Sequence, residues 1–401
     1  MSVDRGYRPS IAAAYALFVL VGVSAGVGGV LLPAQISDYG VDKATIGLTF
    51  FTFSAGFMAA GATVGGLVHR LGISNSIAVG GAAFTLAAVY TGIRPPFAAF
   101  VVVQIVAGYG IGVLESVLNA YLSELPQPAT LLNRLHGFFG VGALIGPVLA
   151  AWMLRSTRWT AVWIVLAVAS AALVAAFLAA SRRVAEAKRA PRTARSPKGL
   201  LLDSLRSRGV VFGALFLAVY VGLEISLGNW GFSFLVGHFN QADLLAGYTI
   251  SGFWLGLTVG RFVISPLGSR VGVSPSATSF GCLAGVALSA LLIWASPISA
   301  VAAVGFVLLG FFLAPLFPTA MAMAPRLTDK RLVASAIGVM NGASVIGGSF
   351  FSWLSGAIAQ GAGVWTLMPF ALALALLLLV LWQRLVAGLV LPASPRAAEL
   401  V

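Results

Sequence analysis

Apolar runs of about twenty residues recur along the whole chain, broken by short clusters of Pro, Gly and charge. A run of that length is what a helix needs to cross a bilayer. The pattern predicts twelve spans, at 11–36, 44–68, 74–93, 97–122, 134–154, 160–180, 209–236, 243–267, 274–296, 298–323, 332–359 and 363–389. One hydrophilic stretch, SRRVAEAKRAPRTARSPKGLLLDSLRSR, occupies 181–208 and divides the spans six and six. The expected organisation is a first six-helix bundle at 1–180, a basic linker at 181–208 and a second bundle at 209–401. The first apolar run, 11–36, is too long for the core of a cleavable signal, so it is expected to remain as span 1.

The halves repeat. A shift of 200 residues pairs Gly22 with Gly222, Gly28 with Gly228, Gly56 with Gly256, Arg70 with Arg270 and Gly72 with Gly272. A shift of 201 pairs Ile145, Gly146 and Trp152 with Ile346, Gly347 and Trp353. Six plus six spans in the same sense make a parallel repeat, whose axis lies along the membrane normal. The predicted fold class is therefore an all-α membrane protein of two related six-helix bundles.

Composition agrees with a lipid-covered chain. Of 401 residues, 59% are hydrophobic and only 9% charged, and the mean hydropathy is +1.00. Soluble domains carry about 25% charged residues. The 47 glycines suit close helix packing in a bilayer. Charge also predicts orientation. With the N-terminus cytoplasmic, the inner segments hold Arg5, Arg8, Arg70, Arg134, the nine Lys and Arg of the linker, Arg261, Arg270, Arg326, Lys330, Arg331, Arg384 and Arg396. The outer loops hold Lys43, Arg94, Arg155 and Arg158. This positive-inside bias places both termini in the cytoplasm of a cell-membrane protein.

The net charge of +13 thus needs no nucleic acid to explain it. The linker lacks the aromatic residues that would stack on bases. It is open to two readings, a short interfacial helix in KGLLLDSLRS against anionic lipid or plain disorder. A single cysteine, Cys282, excludes an internal disulfide and offers no zinc cluster. His69, His136 and His238 are scattered, and no Walker-type phosphate loop is present, so no enzyme centre, metal, cofactor or ATP drive is expected.

Among eleven acidic residues, only Glu115 and Glu224 lie deep within spans. A charged group at mid-membrane costs about 2.5–3.5 kcal/mol on insertion scales, and such residues are functional by default. Gly108, Gly112, Glu115, Asn119 and Ser123 follow one another at steps of 4, 3, 4 and 4, along one helix face. Tyr220, Glu224, Gly228 and Gly231 do the same at 4, 4 and 3. Each glutamate is read either as a helix-tying hydrogen-bonded group or as a group that binds solute or carries protons; the second reading is the one adopted.

The two-bundle plan, with the loop GGLVHRLG at Gly65–Gly72, resembles the major facilitator superfamily over essentially the whole length. His69 stands where that family's loop motif usually has an acid. The resemblance implies that spans 1, 4, 7 and 10 line a central cavity, which places Glu115 and Glu224 on cavity helices. Three segments sharpen it: GYGIGVLESVLNAYL in span 4, YVGLEISLGNW in span 7 and GFWLGLTVGRFV in span 8 resemble the fucose–galactose–glucose:proton symporter branch. The span-4 glutamate of that branch is implicated in sugar recognition or coupling, a role the resemblance carries to Glu115, with Ser116 and Asn119 matching beside it. Glu224 and Trp230 match its span-7 acid and aromatic. Span 1 departs: SAGVGGVLLP, Ser24–Pro33, has no acid where fucose permeases carry one.

A hexose needs carboxylate or amide groups for its hydroxyls and an aromatic for its apolar face. The candidate solute-binding residues are Glu115, Asn119, Glu224, Asn229, Trp230, Gln35, Tyr220 and Asn341, with Glu115 and Glu224 also expected to carry protons. Trp254, Phe317 and Trp353 are read as packing aromatics and His136 as a structural histidine. The expected function is alternating-access transport of a sugar by a monomer, coupled to protons. The stretch GALIGPVLAA, Gly142–Ala151, also resembles the antiporter motif of drug exporters, which leaves export as an alternative. A membrane enzyme or sensor is the remaining one.

Overall fold

The computed structural model describes residues 7–181 and 200–390. Before the linker run α1 (Arg8–Tyr39), α2 (Lys43–Ile46), α3 (Leu48–Gly92), α4 (Phe97–Ser123), α5 (Pro128–Leu154) and α6 (Trp159–Ser181). After it come α7 (Leu200–Arg206), α8 (Arg208–Phe239), α9 (Asp243–Arg270), α10 (Pro275–Ala295), α11 (Ser299–Leu313), α12 (Leu316–Ala322), α13 (Ala324–Leu327), α14 (Val333–Ala362) and α15 (Leu367–Val390). α7 falls in the KGLLLDSLRS stretch, and the preceding part of the linker lies outside the described residues.

Among the described residues, eleven helical stretches are long and apolar enough to cross a bilayer. One of them, Lys43–Gly92, has 50 residues, enough for two crossings. Spans 2 and 3, expected as separate helices, join at Gly72, whose φ of 78° and ψ of 173° are non-helical. Phe53 and Phe84 show that the chain doubles back there. They are 31 residues apart, about 46 Å along a straight helix, yet both touch α4 within three residues, at Gly108 and Gly110. The fold therefore makes twelve crossings. Span 10 is broken: α11 stops at Leu313 and α12 resumes after Pro315, which has no N–H to continue the ladder.

The repeat is visible in the backbone. Gly272, 200 residues beyond Gly72, has φ 73°. α1 ends on Gly40 at φ 62°, and α8 ends on Asn240 at φ 51°. The packing repeats too: Gly108 lies against the Phe53 carbonyl and Gly310 against the Phe253 carbonyl, while Gly56 lies against Ile105 and Gly256 against Val307. Each pair brings two backbones together where any side chain would collide.

The halves meet at the end where α1 and α8 terminate. Gly29 of α1 abuts the Gly228 carbonyl and Asn229 of α8. The Lys43 backbone N–H donates to Gln360 Oε1 at 3.1 Å. Phe50 meets the Trp230 ring at 6.3 Å, and Phe51 meets Trp353 at 6.0 Å. One apolar core runs through both halves here, whereas a separate core of Ile11, Phe18, Leu118, Tyr121 and Phe177 belongs to the first half alone. At the joined end, Arg94 is tied to Asp38 through Nε at 2.7 Å, and Trp159 Nε1 donates to the same carboxylate at 2.9 Å. The carboxylate beside it raises the Arg94 pKa above its ordinary value.

Candidate functional site: an intramembrane polar cleft

Away from the joined end the halves part. Ser349 of α14 bonds Ser54 of α3 and the Phe50 carbonyl. One heptad further from that end on each helix, a Cβ added at Gly61 or Gly342 would meet nothing within 4 Å. Asn341 sits beside Gly342 and is exposed, on the side of α14 that continues from Ser349 toward the opening. The seam between α5 and α9 stays closed for longer: Gly247 lies against Ala151 and Pro147, and Gly140 against Thr258. A Cβ at Gly137 would meet the Phe262 ring at 3.6 Å. The result is a cleft that opens toward the end holding Gly72 and Gly272.

On α4, Gly108 and Gly112 do not border the cleft. They press on Phe53, Phe57 and Ala60 of α3, so their role is packing. Glu115 and Asn119, one and two turns on, are half-buried. Asn119 Nδ2 donates to the Glu115 backbone carbonyl at 2.8 Å. Among the described residues the Glu115 carboxylate itself has no hydrogen bond or ion pair. A carboxyl left so inside a membrane-spanning helix is available to a solute or a proton.

Glu224 has company. It is half-buried on α8, one turn from the fully buried Tyr220, and Arg261 of α9 lies within electrostatic reach of both. The guanidinium does not close on Glu224 to form an ion pair, and the Tyr220 hydroxyl forms no hydrogen bond of standard geometry. His136 of α5, an exposed side chain edge-on to Phe18 at 5.6 Å, also lies within reach of Arg261. Phe317, after the break in span 10, closes on Tyr220 at 6.1 Å. A carboxylate acceptor, a guanidinium donor and a phenol thus stand together on the wall of the second half.

Arg261 was counted from sequence among the cytoplasmic charges, and the structure corrects that. It lies inside α9, nine residues before the helix ends at Arg270. The positive-inside bias survives its removal. The signal was present, since the predicted span 243–267 already enclosed it, but nothing in a linear pattern shows that α5 and α8 supply its neighbours.

The other expected residues are dispersed. Asn229 Nδ2 donates to Ser352 Oγ at 2.9 Å, and Trp230 Nε1 donates to the Ser352 carbonyl at 2.8 Å. Trp230 is buried between α14 and Phe50, so in this state both residues fasten α8 to α14 at the joined end. Gln35 is buried near the same end of α1. His69 and Arg70 are exposed and make no ion pair among the described residues.

Twelve crossings, two like halves and a polar cleft between them define a multi-pass membrane protein of the secondary-transporter architecture. The Major Facilitator Superfamily model matches residues 14–241 and 225–400, and the chain belongs to that family. It is similar to "Bypass of stop codon protein 6" of Saccharomyces cerevisiae, with 26% identity over 87% of this chain and 76% of the relative. It is also similar to a glucose/galactose transporter of Brucella abortus, with 25% identity over 90% of each. Among solved structures, the E. coli fucose:proton symporter superposes with a TM-score of 0.63 at 18% identity, covering 95% of this chain and 99% of that one. That likeness is one of fold.

Proposed function

We propose that this chain moves a hexose or related polyol across the cell membrane by alternating access, with protons as the coupling ion. The observation that carries the reading is the Glu224–Tyr220–Arg261 group inside the bilayer. Sugar hydroxyls both donate and accept, and this group offers both complements within one side-chain cluster. The relative named as a glucose/galactose transporter supports the same solute class. Export of lipophilic cations fits less well, because the Arg261 guanidinium would repel them.

Glu115, without a charged partner, is the group that takes up and releases the proton, and Glu224 serves solute binding. Asn119 and Asn341 border the path, while Asn229, Trp230 and Gln35 meet the solute only when the joined end opens. The halves 1–180 and 209–401 rock as units about the linker. With both termini cytoplasmic, the cleft faces inward. The chain works as a monomer, without nucleic acid, metal or organic cofactor.

The test is uptake of labelled glucose, galactose and fucose into vesicles reconstituted with the protein, with and without an imposed pH gradient. Accumulation that collapses with the gradient supports the proposal. Equilibration without accumulation removes proton coupling, and absence of uptake for every sugar removes the solute class.

A further inference from the structure

Six buried side-chain polar atoms lack a hydrogen bond of standard geometry among the described residues: Trp163 Nε1, Tyr220 Oη, Gln241 Oε1, Ser251 Oγ, Trp254 Nε1 and Arg261 Nε. Four of them lie on α8 and α9. Three of these four share one face of α9, because Gly247, Ser251, Trp254, Thr258 and Arg261 follow at steps of 4, 3, 4 and 3. The face does not look at lipid. Gly247 and Thr258 touch α5, the Trp254 ring lies against Gly228 of α8, and Arg261 neighbours Glu224 and His136. The stripe therefore runs along the seam between the two halves.

Buried donors without partners are costly and rare in native structures. Packing alone gives no reason for four of them to gather where two moving bodies meet. Their chemistry is also one-sided. The indole N–H and the guanidinium only donate, the two hydroxyls can donate, and the acceptor beside Arg261 is the Glu224 carboxylate. From Ser251 to Arg261 the stripe extends about 15 Å along the helix. In this state Arg261 and Glu224 are half-buried, while Ser251 and Trp254 are buried nearer the joined end.

We propose that this stripe is the solute-recognition wall of the second half, with Arg261 its specificity-determining residue: Glu224 accepts from one hydroxyl of a vicinal pair on a neutral sugar or polyol while Arg261 and Tyr220 donate to the other. Trp254 and Ser251 donate to the same solute when the opposite end of the seam parts. The inference rests on the sugar reading above and adds three residues, Ser251, Trp254 and Arg261, to the site.

The test exploits opposite signs. Tyr220→Phe, Ser251→Ala and Trp254→Phe each remove a polar atom that makes no hydrogen bond of standard geometry and keep most of the shape. In the full chain they should leave the melting temperature unchanged or raise it, and raise the KM for labelled glucose or galactose about fivefold each, the worth of one neutral hydrogen bond. Arg261→Gln should erase discrimination between the sugar and one of its monodeoxy analogues, and Arg261→Lys should restore part of it. Trp382→Phe is the control: its Nε1 donates to the Ser276 carbonyl at 3.2 Å, so melting should fall and KM should stay. Wild-type KM in the three shape-preserving variants overturns the proposal, as does a fall in melting temperature that parallels the loss of binding. If Arg261→Gln weakens every analogue equally, Arg261 is no specificity residue and the proposal falls. Failure of the wild-type chain to move any sugar brings down the sugar reading as well, whereas sugar uptake that these substitutions leave untouched overturns the wall alone.

Discussion

Glu115 and Trp230 illustrate opposite relations between a side chain and its surroundings. The Glu115 carboxylate has no hydrogen bond among the described residues to lose, so Glu115→Gln should express and melt like wild type. Gln cannot titrate, and proton-driven accumulation should fall at least tenfold while solute exchange persists; parallel uptake and exchange assays separate the two, and wild-type accumulation would remove the coupling role. Trp230, by contrast, is 2% exposed and its indole N–H is spent on Ser352. Trp230→Phe should cost about 1 kcal/mol, the net value of one buried hydrogen bond, seen as a lower melting temperature. The sequence could single out Glu115 and Glu224 because an intramembrane acid stands out in any apolar run, and Tyr220 because it shares the Glu224 face. It could not show that Asn229 and Trp230 face Ser352, because that pairing joins positions more than 120 residues apart.

Helices come together through glycines, and the two glycine roles predict different damage. At Gly72 and Gly272 the cause is backbone conformation: with φ of 78° and 73° and open space around each, an Ala costs about 1–3 kcal/mol from positive-φ strain alone. Both single substitutions should lower the melting temperature by similar amounts, as the repeat requires. At Gly108 and Gly310 the cause is contact, since a side chain would enter a facing carbonyl. Gly108→Leu and Gly310→Leu should each cut the yield of folded protein, whereas Gly61→Ala and Gly342→Ala, in open surroundings, should leave melting within about 0.5 kcal/mol of wild type apart from helix propensity, which favours Ala. Span number and the repeat were readable beforehand, because length and periodicity are local properties. The fusion of spans 2 and 3 was not. Gly72 was visible, but nothing in the residues around it, LGISNS, distinguishes a loop from a one-residue reversal.

As a whole, the molecule is two like bodies joined at one end and parted at the other, and labelling can follow the exchange. In a chain whose one cysteine, the buried Cys282, is replaced by Ser, Asn341→Cys should react with a membrane-impermeant thiol reagent applied from the cytoplasmic side. Ser349→Cys, held against Ser54, should resist. Labelling of Asn341→Cys from the outer side only would reverse the proposed orientation. The repeat of the halves was legible in the sequence, but the uneven parting of the two seams was not, since it depends on surfaces that meet only in the assembled fold. Those seams are built from matching helices with unlike side chains. The 200-residue shift that superimposes the glycine contacts carries Ser251, Trp254, Thr258 and Arg261 of α9 onto Phe51, Ser54, Met58 and Gly61 of α3. The two counterparts divide the labour: the second holds donors that make no hydrogen bond of standard geometry, and the first has small or apolar groups at the matching positions. The likeness of the halves thus survives in the glycines, which both need in order to fold, and lapses in the stripe, which on the proposed reading only one needs in order to choose.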